Sequence, residues 1–121
     1  MNFQLENKNV YASDAGQGID QNKETIVFLH GSGLSHIVWS LTEQFFSNNN
    51  FNVLSIDLPG HGNSDGPCLD SIEKIADWLE QVFNKLNLNN LILQTLVLAN
   101  QLFFQYYLSR GHLNYRAQVN L

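Results

Sequence analysis

The sequence predicts an α/β fold: a mostly parallel sheet with flanking helices, truncated after its third parallel strand. Three observations lead there. An apolar run, Thr25-Ile26-Val27-Phe28-Leu29, ends in the glycine turn His30-Gly31-Ser32-Gly33, and β-branched and aromatic residues in such a run read as a buried strand. A second apolar run over residues 51–56 ends in Asp57-Leu58-Pro59-Gly60-His61-Gly62-Asn63-Ser64. Between the two lies a helical pattern over 35–48. Strand, turn, helix, strand, turn is a βαβ unit, so the two strands are expected to be parallel. Both glycine turns fall at the carboxyl ends of their strands, where open α/β sheets place their chemistry.

Taken in order, residues 2–12 alternate loosely and 14–18 form a turn cluster, Asp14-Ala15-Gly16-Gln17-Gly18. The first parallel strand is 25–29. In the helix that follows, Ile37, Leu41 and Phe45, with Trp39 and Phe46, are expected to form the inward apolar face. Asn48-Asn49-Asn50 ends it, because Asn disfavours helix interiors and tolerates left-handed backbone. The second parallel strand is 51–56. Asp70 or Ser71 caps the next helix, and Asp70 with Glu73 makes the better capping box, since Lys74 stands three after Ser71. Ile72, Ile75, Ala76, Leu79, Val82, Phe83 and Leu86 then keep helical spacing closely. A turn at 87–90 leads into Leu91-Ile92-Leu93, the start of a third parallel strand.

Composition bounds the function. A chain of 121 residues forms one modest domain, burying about two-thirds of its unfolded surface. The net charge of −5 gives no electrostatic reason to expect nucleic acid or an anionic membrane as partner. The single cysteine, Cys68, cannot form an internal disulfide and fits a reducing cytoplasm. No basic start with an apolar core marks a signal peptide. The apolar stretch 88–108 is interrupted by Asn89, Asn90, Gln94, Asn100, Gln101 and Gln105, which argues against a membrane helix. Metal ligation has little support, because His30, His36, His61 and Cys68 lack ligand-pair spacing. No cofactor is expected.

The two turns also carry a family signature. His30-Gly31-Ser32-Gly33 after one strand and Asp57-Leu58-Pro59-Gly60-His61-Gly62-Asn63-Ser64 after the next resemble the HGxG and DxPGxGxS motifs of the α/β-hydrolase fold. The resemblance covers residues 1–93 and implies the N-terminal half of such a domain, with 94–121 a tail of no readable period. It implies descent from a serine hydrolase acting on an ester or similar acyl bond. The backbone N–H just after the His-Gly pair would then be an oxyanion donor, which is that of Ser32, with Gly33 the neighbouring candidate. Such donors stabilise the oxygen that turns negative in the tetrahedral intermediate. The resemblance makes His30 and His61 supports of their turns. Asp57 is expected to satisfy nearby backbone donors, and Ser64 to be a loop-stabilising hydroxyl.

The nucleophile elbow G-x-S-x-G, due after the third parallel strand, is missing. The chain reads Gln94-Thr95-Leu96-Val97-Leu98-Ala99-Asn100-Gln101 there, with neither glycine nor serine. Ser109-Arg110-Gly111-His112 comes too late and lacks elbow context. In the resembled family the acid and catalytic histidine come from the second half of the fold. The nucleophile is therefore unassigned and the chain is expected to be inactive, with an acyl substrate only for a completed fold. Every acidic residue lies at or before Glu80, while both arginines, Arg110 and Arg116, lie in the tail. A change of reading frame, a misjoined gene model or a decayed gene near Leu93 would explain this shift together with the lost elbow, whereas a genuinely divergent elbow would explain only the latter.

Two other functions compete. Gly31-Ser32-Gly33 with Asp57 about twenty residues on imitates a Rossmann start, but His36 occupies the third glycine position. A non-catalytic fragment or partner-binding protein is the other, with self-association through the sheet edge left open at the third parallel strand.

Overall fold

The computed structural model describes residues 1–88, 91–96 and 115–120, of which 94–96 and 115–120 are described as backbone only. Six strands form one mixed sheet. They are β1 (Asn2–Leu5), β2 (Lys8–Ser13), β3 (Thr25–Leu29), β4 (Asn52–Ile56), β5 (Leu91–Leu96) and β6 (Tyr115–Asn120), in spatial order β1-β2-β4-β3-β5-β6. β3, β4, β5 and β6 are mutually parallel, while β2 joins β4 and β1 antiparallel.

The loose alternation at the N-terminus makes a hairpin. Glu6 and Asn7 both take positive φ, 51° and 64°, between the paired Leu5 and Lys8. A two-residue turn of that hand matches the natural twist of paired strands. All five residues of β3 and all five of β4 are buried, the polar Thr25, Asn52 and Ser55 included, because strands in a parallel sheet are covered on both faces.

Alternate residues of the central strands feed two separate cores. Val27, Leu29, Leu54, Ile56, Leu91 and Leu93 pack with Ala76, Leu79, Val82 and Phe83 of helix α2 (Ile72–Lys85). Ile26, Phe28 and Val53 pack on the other face with Trp39 and Phe46. The result is a three-layer α/β/α sandwich. Among the described residues no helix is long and apolar enough to cross a membrane.

Both helices differ in detail from the sequence expectation. The segment after β3 is a 3₁₀ turn, His36–Trp39, capped by Ser35, followed by helix α1 (Ser40–Asn48). Its inward side is Trp39, Glu43 and Phe46. Ile37, Leu41 and Phe45 face solvent, at 66%, 85% and 62% exposure. At 3.6 residues per turn these two sets lie on opposite sides of the helix. Glu43 holds the inward side because two hydroxyls await it: its carboxylate accepts from Ser13 Oγ at 2.8 Å and from Ser55 Oγ at 2.5 Å. Asn50 ends the segment at φ 72°.

In α2 the cap is Ser71, not Asp70. Ser71 is extended and its Oγ accepts from the Lys74 N–H at 3.1 Å. Asp70 instead pairs in solvent with the Lys74 ammonium at 2.8 Å.

The tail holds more regular structure than its sequence promised. The expected division at Leu93 falls inside β5, which runs to Leu96, and β6 pairs with it from Leu91↔Tyr115 to Leu96↔Asn120. The sheet therefore extends one parallel strand further, and its open edge is β6 rather than β5.

Candidate active site

β3 and β4 run in parallel register, Leu29 beside Ile56, so their two glycine turns emerge side by side. Hydrogen bonds between the turns fix their relation. His30 is buried, its Nε2 accepts from the Leu58 N–H at 3.0 Å, and its Nδ1 lies 2.8 Å from the Gly31 carbonyl. A backbone N–H can only donate, so the proton of His30 is assigned to Nδ1. Burial lowers the His30 pKa below its ordinary 6.5; the bond to the Gly31 carbonyl opposes this and His61 adds to it. His30 is thus a neutral brace, as the resemblance implied.

His61 is held in the same way. Its Nδ1 lies 3.0 Å from the Pro59 carbonyl and its Nε2 accepts from the Gly33 N–H at 3.3 Å. The His30 and His61 rings sit 5.0 Å apart.

Asp57 is the hub beneath both turns, and it is fully buried. Its carboxylate accepts from the His36 N–H at 2.7 Å, the Asn63 N–H at 2.9 Å and His36 Nδ1 at 2.9 Å. Three donors offset the cost of burying that group. Ser64 Oγ donates to the Asp57 carbonyl at 2.7 Å and accepts from the Tyr11 N–H at 2.9 Å, which makes it the expected loop stabiliser. Asp65 takes the Asn9 N–H at 2.7 Å, and Lys8 Nζ donates to the Gly66 carbonyl at 2.8 Å. β2 thereby anchors the far side of the second turn. Gly62, at φ 50°, is required: a Cβ there would stand 2.2 Å from an Asp57 carboxylate oxygen.

Against this frame the two oxyanion candidates differ. Both Ser32 and Gly33 are exposed at the turn. The Gly33 N–H is engaged by His61. The Ser32 N–H meets no acceptor among the described residues, so of the two it is the donor open to a ligand oxygen.

The elbow region is only partly described. Thr95 pairs with Leu29, level with the start of the first turn, and β5 continues through Leu96. The remainder, 97–101, and the Ser109 to His112 group lie outside the described residues. No nucleophile is identified in what is described. Among the described residues no three His, Cys, Asp or Glu side chains gather as a metal site.

Sequence reasoning missed two residues. His36 entered it as an obstacle to a glycine pattern and as one of four scattered residues without metal-ligand spacing, yet it pairs with Asp57 and its ring packs 4.8 Å from that of Tyr11. No spacing rule links positions 36 and 57. Glu43 is the other; its lone charge within an otherwise uncharged helix was the available signal.

Comparisons with known proteins agree with this geometry. The sequence profile described as "Alpha/beta hydrolase family" matches residues 26–97. An (E)-2-((N-methylformamido)methylene)succinate hydrolase of Acinetobacter baylyi is 30% identical over 83 residues, 68% of this chain and 29% of that protein. A pimeloyl-[acyl-carrier protein] methyl ester esterase of Vibrio cholerae is 39% identical over 70 residues, 58% of this chain and 25% of its own. Among solved structures, an esterase of Exiguobacterium antarcticum superposes with a TM-score of 0.76 at 21% identity, covering 93% of this chain and 41% of that one. The chain thus spans less than a third of the length of the two curated relatives. With its profile match, its layered sheet and its paired glycine turns, the chain belongs to the α/β-hydrolase family.

Proposed function

We propose that this chain is the oxyanion-turn part of a serine hydrolase for carboxylic ester or similar acyl bonds, truncated before its nucleophile. One observation carries the reading. The Ser32 N–H is exposed and without an acceptor among the described residues, on a turn where the Gly31 carbonyl and the Gly33 and Leu34 N–H groups are engaged. A donor fixed in that way costs no reorganisation when a carbonyl oxygen gains charge. The two curated relatives are named as a hydrolase and a methyl ester esterase, which supports an acyl substrate class. The partner in this reading is a small acyl compound, taken up only by a completed fold, with neither nucleic acid nor membrane involved. The free Cys68 is consistent with a reducing cytoplasm as the compartment.

Two measurements test the proposal. The purified chain should hydrolyse nitrophenyl acetate and butyrate at the buffer rate and take no label from a fluorophosphonate probe. Turnover abolished by Thr95→Ala or Ser109→Ala would overturn it. Reading the coding DNA after Leu93 in the other two frames should reveal G-x-S-x-G within about ten residues. If neither frame contains it, the second reading takes over: a half-length, non-catalytic relative whose role is to bind a partner.

A further inference from the structure

The large hydrophobic side chains exposed among the described residues all belong to one stretch: Leu34, Ile37, Val38, Leu41 and Phe45, between 44% and 85% exposed. At about 200 Å² for a large apolar side chain, they leave on the order of 600 Å² open, the upper end of what a monomer ordinarily shows. Ile37, Leu41 and Phe45 stand four residues apart and form a single ridge.

The surroundings of that ridge are as informative as the ridge itself. Glu43 is the lone charged residue between Gly33 and Phe51, and it is turned inward onto Ser13 and Ser55. The outward side of α1 therefore carries no charge, in a chain whose net charge is −5. For most of this molecule's surface, contact with another copy brings like charges together. Here it does not. Two such ridges interdigitate in the commonest helix-packing geometry, at about −50°. Two copies would bury on the order of 1,200 Å², the lower limit of a specific interface.

We propose that the Leu34 to Phe45 face is an isologous docking surface for a second copy of this chain, with Leu41 near the two-fold axis. Its Leu34 end adjoins the oxyanion turn, where the Leu34 N–H donates to the Gly31 carbonyl at 3.1 Å, and the surface is distinct from the open edge at β6.

Sedimentation velocity of the full chain, from low-micromolar to submillimolar concentration, tests it. A reversible monomer–dimer equilibrium is expected. Leu41→Glu and Ile37→Glu, both at positions exposed in the monomer, should each weaken it about tenfold or more by bringing a charge to an apolar contact. Their dilute monomers should keep the parent circular dichroism spectrum. In a Cys68→Ser background, Leu41→Cys should cross-link on mild oxidation, whereas Gln81→Cys on the exposed side of α2 should not. Three results would each overturn the proposal. The first is a monomer at every concentration. The second is a dimer indifferent to both charges, including one that Val119→Lys in β6 dissolves. The third is a stripe that becomes covered only when a downstream hydrolase segment is appended, which would assign the face to the rest of the fold.

Discussion

Replacing Gly62 by alanine probes the hub on which both turns depend. The added Cβ would lie 2.2, 2.4 and 2.6 Å from the Asp57 Oδ2, Cγ and Oδ1 atoms, well inside van der Waals contact. Asp57 is fully buried and ends a central strand, so its carboxylate has nowhere to retreat without releasing its donors. Two of these are backbone N–H groups, His36 and Asn63, each worth about 1.5–3 kcal/mol when the acceptor is charged. The positive φ adds about 1 kcal/mol for any L-residue. Gly62→Ala should therefore cost about 4 kcal/mol or more, out of a total of about 5–15 kcal/mol for an ordinary domain. Gly18→Ala is the matched control: φ is 71° but a Cβ there meets nothing within 4 Å, so about 1 kcal/mol of backbone strain is all it should lose. Urea unfolding with a common slope reads both differences. In an Asp57→Ala background, Gly62→Ala should fall to the cost of the control, since the clash has been removed. If Gly62→Ala in the parent costs no more than Gly18→Ala, the turn is softer than argued and Asp57 is not its hub.

Other consequences are simpler to read. Ser71→Ala should lose about 1 kcal/mol of stability through its vacated cap, while Asp70→Ala should stay within about 0.5 kcal/mol because its ion pair is exposed; the reverse order in thermal melts would reinstate Asp70 as the cap. His30 has its pKa lowered by burial, so below about pH 6.5 the unfolded chain binds a proton that the native state resists. Stability should therefore fall as pH drops from 7 toward 5, and His30→Gln should flatten that fall; an unchanged slope in urea titrations would contradict the assignment. Glu43→Ala strands the Ser13 and Ser55 hydroxyls and should cost about 1–3 kcal/mol, whereas Gln44→Ala on the exposed side should cost little, a contrast that chemical denaturation resolves.

The legible parts of the sequence were those written in a strong local code. β3, β4 and α2 announced themselves because a strand buried on both faces is mostly apolar and a helix facing one core keeps a 3.6 period. The paired glycine turns were legible for a different reason: Gly33, Gly60 and Gly62 all take positive φ, so their glycines are conformational requirements. The face of α1 was misread because Ile37, Leu41 and Phe45 imitate a core stripe in spacing. What decides the inward side is the pair of serine hydroxyls on β2 and β4, which the helix's own sequence does not contain. β6 carried a usable signal, since Tyr115, Ala117 and Val119 alternate with Arg116, Gln118 and Asn120. A six-residue alternation far from any turn chemistry is weak evidence by itself. Of the candidate site, the motif pointed to Ser32 and Gly33 alike. Their difference arises from His61, whose ring engages one N–H and leaves the other open.

The anchoring of the second turn on β2 has a consequence for how the chain assembles as it is made. Tyr11 must wait for Ser64, 53 residues later, before its N–H finds its acceptor, and Lys8 waits for Gly66, 58 residues later. At ribosomal speeds of about 5–20 residues per second, that is an interval of roughly 3–10 s. During it the β1–β2 hairpin can close on one side while the other side of β2 stays unpaired. An open strand edge held for seconds is a site for wrong pairing. Lys8 and Asn9, whose side chains later donate to the Gly66 carbonyl and, at 3.2 Å, to the Asn63 carbonyl, stand on that edge in the meantime and make it unattractive to a passing strand. The same two side chains thus serve the nascent chain as a guard and the finished one as a clasp.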